Sequence, residues 1–121
     1  MYIMDEKFHI STDKEKLDKV FTSIEQSLCF GVYIWNQQIG FARVVTDYTV
    51  FAWVLDVFII EKHRGNGLGK LLVSSIMNHQ KLQGINRWGL NTFDAHSLYE
   101  KFGFKAIEKP EINMEITSKT K

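Results

Sequence analysis

Cysteine is almost missing from this chain. Cys29 is the only one in 121 residues, so no disulfide can close within it, and a reducing compartment, the cytoplasm by default, is expected. It reads as a small apolar packing residue. An excess of one charge is missing too: fifteen Lys and Arg against fourteen Asp and Glu leave a formal net charge of +1. No dense basic run appears, which weighs against a dedicated nucleic-acid binder. Long apolar runs are absent. The longest, residues 50–60, is interrupted by Asp56 and is too short to span a bilayer as a helix. The opening MYIMDE lacks the basic-then-apolar order of a signal peptide, so no membrane partner is expected. His9, His63, His79 and His96 stand without metal-ligand company, and no metal is expected. Proline occurs once, as Pro110, and marks a loop.

What is present is material for a core. The apolar fraction is 45%, with nine Phe, four Tyr and three Trp. That suits one packed domain over residues 1–121. Trp35, Trp53 and Trp88 read as core or dimer-interface aromatics. A first short strand is expected at residues 7–10. Thr12 and Glu15 fit a capping box, and Leu17, Val20, Phe21, Ile24 and Leu28 follow at helical spacing, predicting a helix over residues 13–27. Residues 28–35, 39–46 and 50–60 read as strands of an antiparallel meander. The third shows no alternation and should be covered on both faces. Leu68, Leu71, Leu72 and Ile76 form the stripe of a helix running to about Gly84. Residues 85–92 form a further strand, parallel to the one before the helix. Asp94 can cap a short helix over residues 95–102, stopped by Gly103, and strands are expected at 104–107 and 112–116. The fold class is α/β: a mixed sheet with helices on its faces.

The whole is organised around residues 50–69, VFAWVLDVFIIEKHRGNGLG. The order is strand, turn, glycine loop, helix. Glycines at a helix start expose N–H groups beside the positive end of the helix dipole, which suits a phosphate. A P-loop needs four residues between its glycines and a hydroxyl after the lysine. Here three lie between Gly65 and Gly69, and Leu71 follows Lys70. A dinucleotide fingerprint needs GxGxxG and an acid ending the next strand. Here the glycines run GxGxG and the strand ends in Asn91-Thr92.

Arg64-Gly65-Asn66-Gly67-Leu68-Gly69 resembles the R/Q-x-x-G-x-G/A signature of the GNAT superfamily of N-acetyltransferases. Asn91, Ala95, Tyr99 and Gly103-Phe104, four residues apart, are similar to that family's N-x-x-x-A-x-x-x-Y-x-x-x-G-F pattern. Phrases such as Ser27-Leu28-Cys29-Phe30-Gly31 and Gly40-Phe41-Ala42-Arg43-Val44 look like a branch of small bacterial members. The resemblance implies the GNAT fold, with a mostly antiparallel sheet whose strands part at the acyl-CoA site. It implies direct transfer of acetyl from acetyl-CoA to an amine, a small molecule by preference. A protein or peptide amine is the alternative acceptor. Arg64, Gly65, Asn66, Gly67, Leu68, Gly69 and Lys70 would hold the pyrophosphate. Phe58, Ile59 and Ile60 would pair with the pantetheine arm, and a backbone N–H there would polarise the acetyl carbonyl. Asn91 would contact the cofactor, and Tyr99 would protonate the departing thiolate; Tyr99 also reads as a core tyrosine.

The general base is open: Asp56 is one candidate, though it reads first as a structural carboxylate, and Glu61 and His63 are others. Arg43 points either into the acceptor groove or to water. Related proteins carry two helices before the meander, and only one fits between Thr12 and Ser27. This shortened acceptor side leaves two further expectations: an acyl-CoA-binding module without turnover, and a homodimer whose partner completes the groove.

Overall fold

The computed structural model describes residues 2–5 and 22–118. Five strands form one sheet in chain order: β1 (Tyr2–Asp5), β2 (Leu28–Ile34), β3 (Gln37–Thr46), β4 (Phe51–Ile59) and β5 (Arg87–Leu90). Neighbours from β1 to β4 are antiparallel, and β4 and β5 are parallel. Between the parallel strands runs helix α1 (Leu68–Met77), and a short α2 (His96–Glu100) follows β5. This is the mixed, mostly antiparallel α/β sheet with flanking helices that the motifs imply.

The β3–β4 hairpin is set by Asp47. Its Oδ1 accepts from the backbone N–H groups of Thr49, Val50 and Phe51 at 2.9, 2.8 and 3.1 Å. These bonds hold its carboxyl below the usual carboxylate value of 3.8 and fix an Asx-type turn. The turn opposes Thr46 to Ala52 and Val44 to Val54. Further on, Arg43 faces Leu55 but Phe41 faces Phe58, so β4 carries one residue more than β3. That β-bulge contains Asp56, whose φ of +56° lies in the left-handed region.

The core fills the space between one sheet face and α1. Val32, Ile39, Val44 and Ala52 pack there with Leu72 and Ile76. Burying five or six such side chains removes enough apolar surface to dominate folding, at about 1.5–3 kcal/mol each. On the other face Ile24, Cys29 and Phe41 form a smaller cluster. Ile24 lies on the helical stretch 22–25, the described end of the helix expected over 13–27. The strand expected at 7–10 and the shortened N-terminal helical region lie outside the described residues.

Several elements differ from expectation. β4 is not covered on both faces. Ala52, Val54 and Ile59 are buried, while Phe51 and Phe58 are exposed. Among the described residues α1 covers only one face there, and the bulge at Asp56 reverses which residues meet it. Helix α1 stops at Met77 rather than near Gly84. Leu82 is buried but stands six residues after Ile76, out of helical phase, so the chain leaves the helix to bring it inward. A 3-10 turn at Gln80–Leu82 does so, with His79 Nδ1 accepting from the Lys81 N–H. His79 also packs edge-on against Phe30. Leu71, placed on the stripe by spacing, is exposed. Helix α2 has no side-chain cap from Asp94; Thr92 Oγ1 accepts the Ala95 N–H instead.

Strands do not form at 104–107 or 112–116; Pro110–Ile112 is a 3-10 turn. Ile107, Ile112, Met114 and Ile116 are exposed. β-rich composition becomes a strand only where an edge and a face receive it, and here neither does.

Candidate active site

β4 and β5 run together only as far as the pairs Trp53–Gly89 and Val54–Leu90. Beyond them β4 continues to Ile59 while β5 ends. The expected parting is therefore present. At the fork lies a cavity of about 280 Å³, lined by Val54, Leu55, Asp56 and Val57 on one side and Leu90, Asn91 and Thr92 on the other. Asp94, Ala95 and Tyr99 complete it.

Past the bulge, the free edge of β4 can be assigned from its hydrogen bonds. Ile60 donates its N–H to Ile39 at 2.7 Å. Backbone groups alternate along an antiparallel strand, so Ile59 turns its N–H and C=O toward the edge β5 has left. Its carbonyl accepts from Arg64 Nε at 2.7 Å. Of the three residues expected to hold a pantetheine arm, Ile59 thus offers an outward N–H, Phe58 an exposed ring and Ile60 a side chain. Arg64 uses its side chain to tie the turn to the strand end.

The glycine loop follows the 3-10 turn Glu61–His63. Gly65 and Gly67 have φ of +83° and +80°, and a Cβ on either would meet no protein atom within 4 Å. Glycine is needed there for backbone conformation, and the space it leaves is open to a ligand. Among the described residues, the N–H groups of residues 65–70 find no acceptor. They surround the N-terminus of α1, whose N-cap is Gly67 with no capping side chain. Six such donors beside the positive end of a helix dipole are the kind of arrangement that can hold an anion, and Asn66, Leu68, Gly69 and Lys70 are among the residues that supply them.

Tyr99 is buried, packs edge-on against Phe104 and lines the cavity. Burial pushes its phenol above the ordinary value of 10.0, so it stays protonated and able to donate. Asn91 is exposed at the fork. Asp56 is on the cavity wall, and its Oδ2 accepts from Arg43 Nε at 2.8 Å. Arg43 points neither into open groove nor to water, because Asp56 and Ser27 hold it. Glu61 and His63 lie on the turn and do not line the cavity. Thr92 and Asp94 do line it, and sequence reasoning placed neither there. The spacing of Asn91 and Tyr99 points to that loop, but only the path of the chain shows which intervening side chains reach the fork.

Over residues 25–106, more than half of the chain, the sequence matches the acetyltransferase (GNAT) domain family. The chain belongs to the GNAT family. A GNAT-family crystal structure from Xanthomonas campestris pv. campestris is 44% identical, with a TM-score of 0.79 over 84% of this chain and 71% of that one. A Clostridium acetobutylicum structure with acetyl-CoA shares the fold at 18% identity, with a TM-score of 0.68 over 93% of this chain and 79% of that one. The [ribosomal protein bS18]-alanine N-acetyltransferase of Haemophilus influenzae is 33% identical over 79 residues, 60% of this chain and 51% of that protein. The chain spans about half the length of the curated relatives it matches, from 43% to 58%. Within the described part of this GNAT chain, no helix is long and apolar enough to cross a membrane.

Proposed function

We propose that this GNAT domain transfers the acetyl group of acetyl-CoA to a primary amine, with a small-molecule acceptor favoured. One observation carries the reading: the strand that parts from its neighbour leads into a glycine turn whose N–H groups have no acceptor among the described residues. The turn, residues 64–70, takes the pyrophosphate. The pantetheine arm runs along the free edge of β4 past Phe58, Ile59 and Ile60, and Asn91 contacts it where the strands fork. An N–H of that edge polarises the thioester carbonyl.

The amine attacks the carbonyl carbon and the C–S bond breaks. Tyr99, kept protonated by burial, gives its proton to the departing sulfur. Asp56 receives the proton of the ammonium, directly or through water, and the second nitrogen proton, lost as the C–N bond forms, returns to the Tyr99 phenolate. This choice over Glu61 and His63 rests on its place at the cavity wall.

A peptide amine is the second reading. What favours it is the Haemophilus influenzae relative, which acts on an alanine of a ribosomal protein. Calorimetry with coenzyme A at neutral pH, followed by thiol release from acetyl-CoA with a panel of amines and peptides, tests the proposal. Saturable coenzyme A binding and amine-dependent thiol release are expected. Binding without release above the no-protein rate leaves a coenzyme A-binding module, and no binding removes the reading altogether.

A further inference from the structure

Arg43 and Asp56 form the single ion pair among the described residues, and of the two only Asp56 lines the cavity. The two partners are unequally buried: 16% of the Arg43 side chain is exposed against 57% of Asp56. The guanidinium is thus embedded and the carboxylate looks outward. Arg43 is held at a second point, since its Nη1 donates to Ser27 Oγ at 3.1 Å. Ser27 in turn donates to the Ser23 carbonyl at 2.6 Å. A chain of bonds therefore runs from the end of the N-terminal helical stretch, through β3, to the bulge in β4.

Asp56 itself is strained. A left-handed φ at a residue other than glycine persists only where surroundings impose it. Bulges re-aim side chains next to sites. Here the bulge brings Asp56 to the cavity, and the charge-assisted bond to Arg43 fixes one of its two oxygens. The other oxygen, Oδ1, has no partner among the described residues. No Lys or Arg lines the cavity, and the other charged lining group, Asp94, is also a carboxylate.

We propose that Arg43 is a positioning residue for the acceptor: by holding Asp56 Oδ2 it presents Oδ1 to the cavity, where Oδ1 binds the ammonium of a cationic amine that carries no anionic group beside it. The inference rests on the acetyl-transfer reading and adds the acceptor's charge class to it. Oδ1 takes one proton from the ammonium, and the nitrogen lone pair so freed forms the new C–N bond as the C–S bond breaks; the sulfur takes the Tyr99 proton, and the second nitrogen proton returns to the Tyr99 phenolate. An acceptor with a carboxylate next to its amine meets Asp56 and Asp94 with no cation to offset them, because Arg43 is already engaged.

The test compares wild type with Arg43→Met and Arg43→Lys, using 1,4-diaminobutane and glycine as acceptors, and measures coenzyme A affinity separately by calorimetry. Wild type is expected to favour the diamine over glycine by about tenfold or more in kcat/KM. Arg43→Met raises KM for the diamine by about tenfold or more, with coenzyme A affinity within about twofold. Arg43→Lys recovers part of the loss, because an ammonium can still pair with Oδ2. If Arg43→Met does not fold, Asp56→Asn carries the same expectation. The inference fails alone if wild type is active but glycine is preferred. It also fails alone if Arg43→Met matches wild type, or loses coenzyme A affinity as much as amine affinity. A wild type that binds coenzyme A yet turns over no amine overturns the acetyl-transfer reading, and this inference with it.

Discussion

Replacing Gly67 by alanine separates the two reasons for glycine in the loop. Gly67 and Gly84 both sit at φ +80°, and at neither would a Cβ meet a protein atom within 4 Å. Holding alanine in the left-handed region costs about 1–2 kcal/mol. The loss of unfolded-chain freedom returns about 0.4–1 kcal/mol. Each variant should therefore lose on the order of 1 kcal/mol, a fall of about 3–6 °C in Tm for a domain of this size. Gly67→Ala should lose slightly more, because alanine is a poor N-cap and Gly67 caps α1.

Binding should distinguish the two variants. The Cβ at Gly67 occupies space that a phosphate needs to reach the N–H groups of residues 65–70. Forfeiting one hydrogen bond to a charged group costs about 1.5–3 kcal/mol, or about tenfold to a hundredfold in Kd. Gly84 follows the 3-10 turn at Gln80–Leu82 and does not line the loop, so its variant should bind coenzyme A like wild type. Melting curves and calorimetry, run well below both midpoints, measure the two effects separately. If Gly67→Ala binds coenzyme A within about twofold of wild type, or Gly84→Ala weakens binding equally, the phosphate-cradle argument is refuted.

Four further outcomes are expected. Tyr99→Phe lowers kcat by about a hundredfold while leaving coenzyme A affinity nearly unchanged; an unchanged kcat with chemistry rate-limiting rules out the acid role. Because burial raises the Tyr99 phenol above 10.0, wild-type stability should hold below pH 10 and fall as pH rises through the folded-state value. Tyr99→Phe should lack that alkaline component in pH-dependent melts. Asp47→Ala lowers Tm at neutral pH, and the gap from wild type should close as pH falls below the carboxylate's 3.8, since a lowered folded value gives stability that acid removes. A constant gap down to pH 2 would mean the Asp47 charge contributes nothing. Leu72 is fully buried under the sheet, so Leu72→Ala should cost about 2–5 kcal/mol in urea unfolding; a cost below about 1 kcal/mol would show that the core collapses around the gap.

Local chemistry was legible in the sequence. Gly65 and Gly67 announce a left-handed turn because no other residue adopts it at so little cost. Asn91, Ala95, Tyr99 and Gly103 keep helical spacing, and the helix stopped by Gly103 is there. Three meander strands and a parallel fourth follow from β-rich runs separated by short breaks and one helix-length crossover. These features depend on residues close together in the chain, so composition and spacing encode them directly.

Tertiary structure decided the rest. The bulge at Asp56 exists because β4 has one residue more than β3 between two matched pairs, a count that neither strand carries alone. The Arg43–Asp56 bond joins residues thirteen apart that meet only through that register. Leu82 ends α1 early because the sheet offers it a place out of helical phase. Residues 112–116 alternate like a strand yet make none, because no edge receives them. Sequence alone determined that a glycine turn precedes a helix and that a tyrosine follows at a family-like distance. Only the pairing and parting of β4 and β5 put Tyr99, Asn91 and Asp56 around one cavity, since long-range register, rather than local preference, sets which side chains converge.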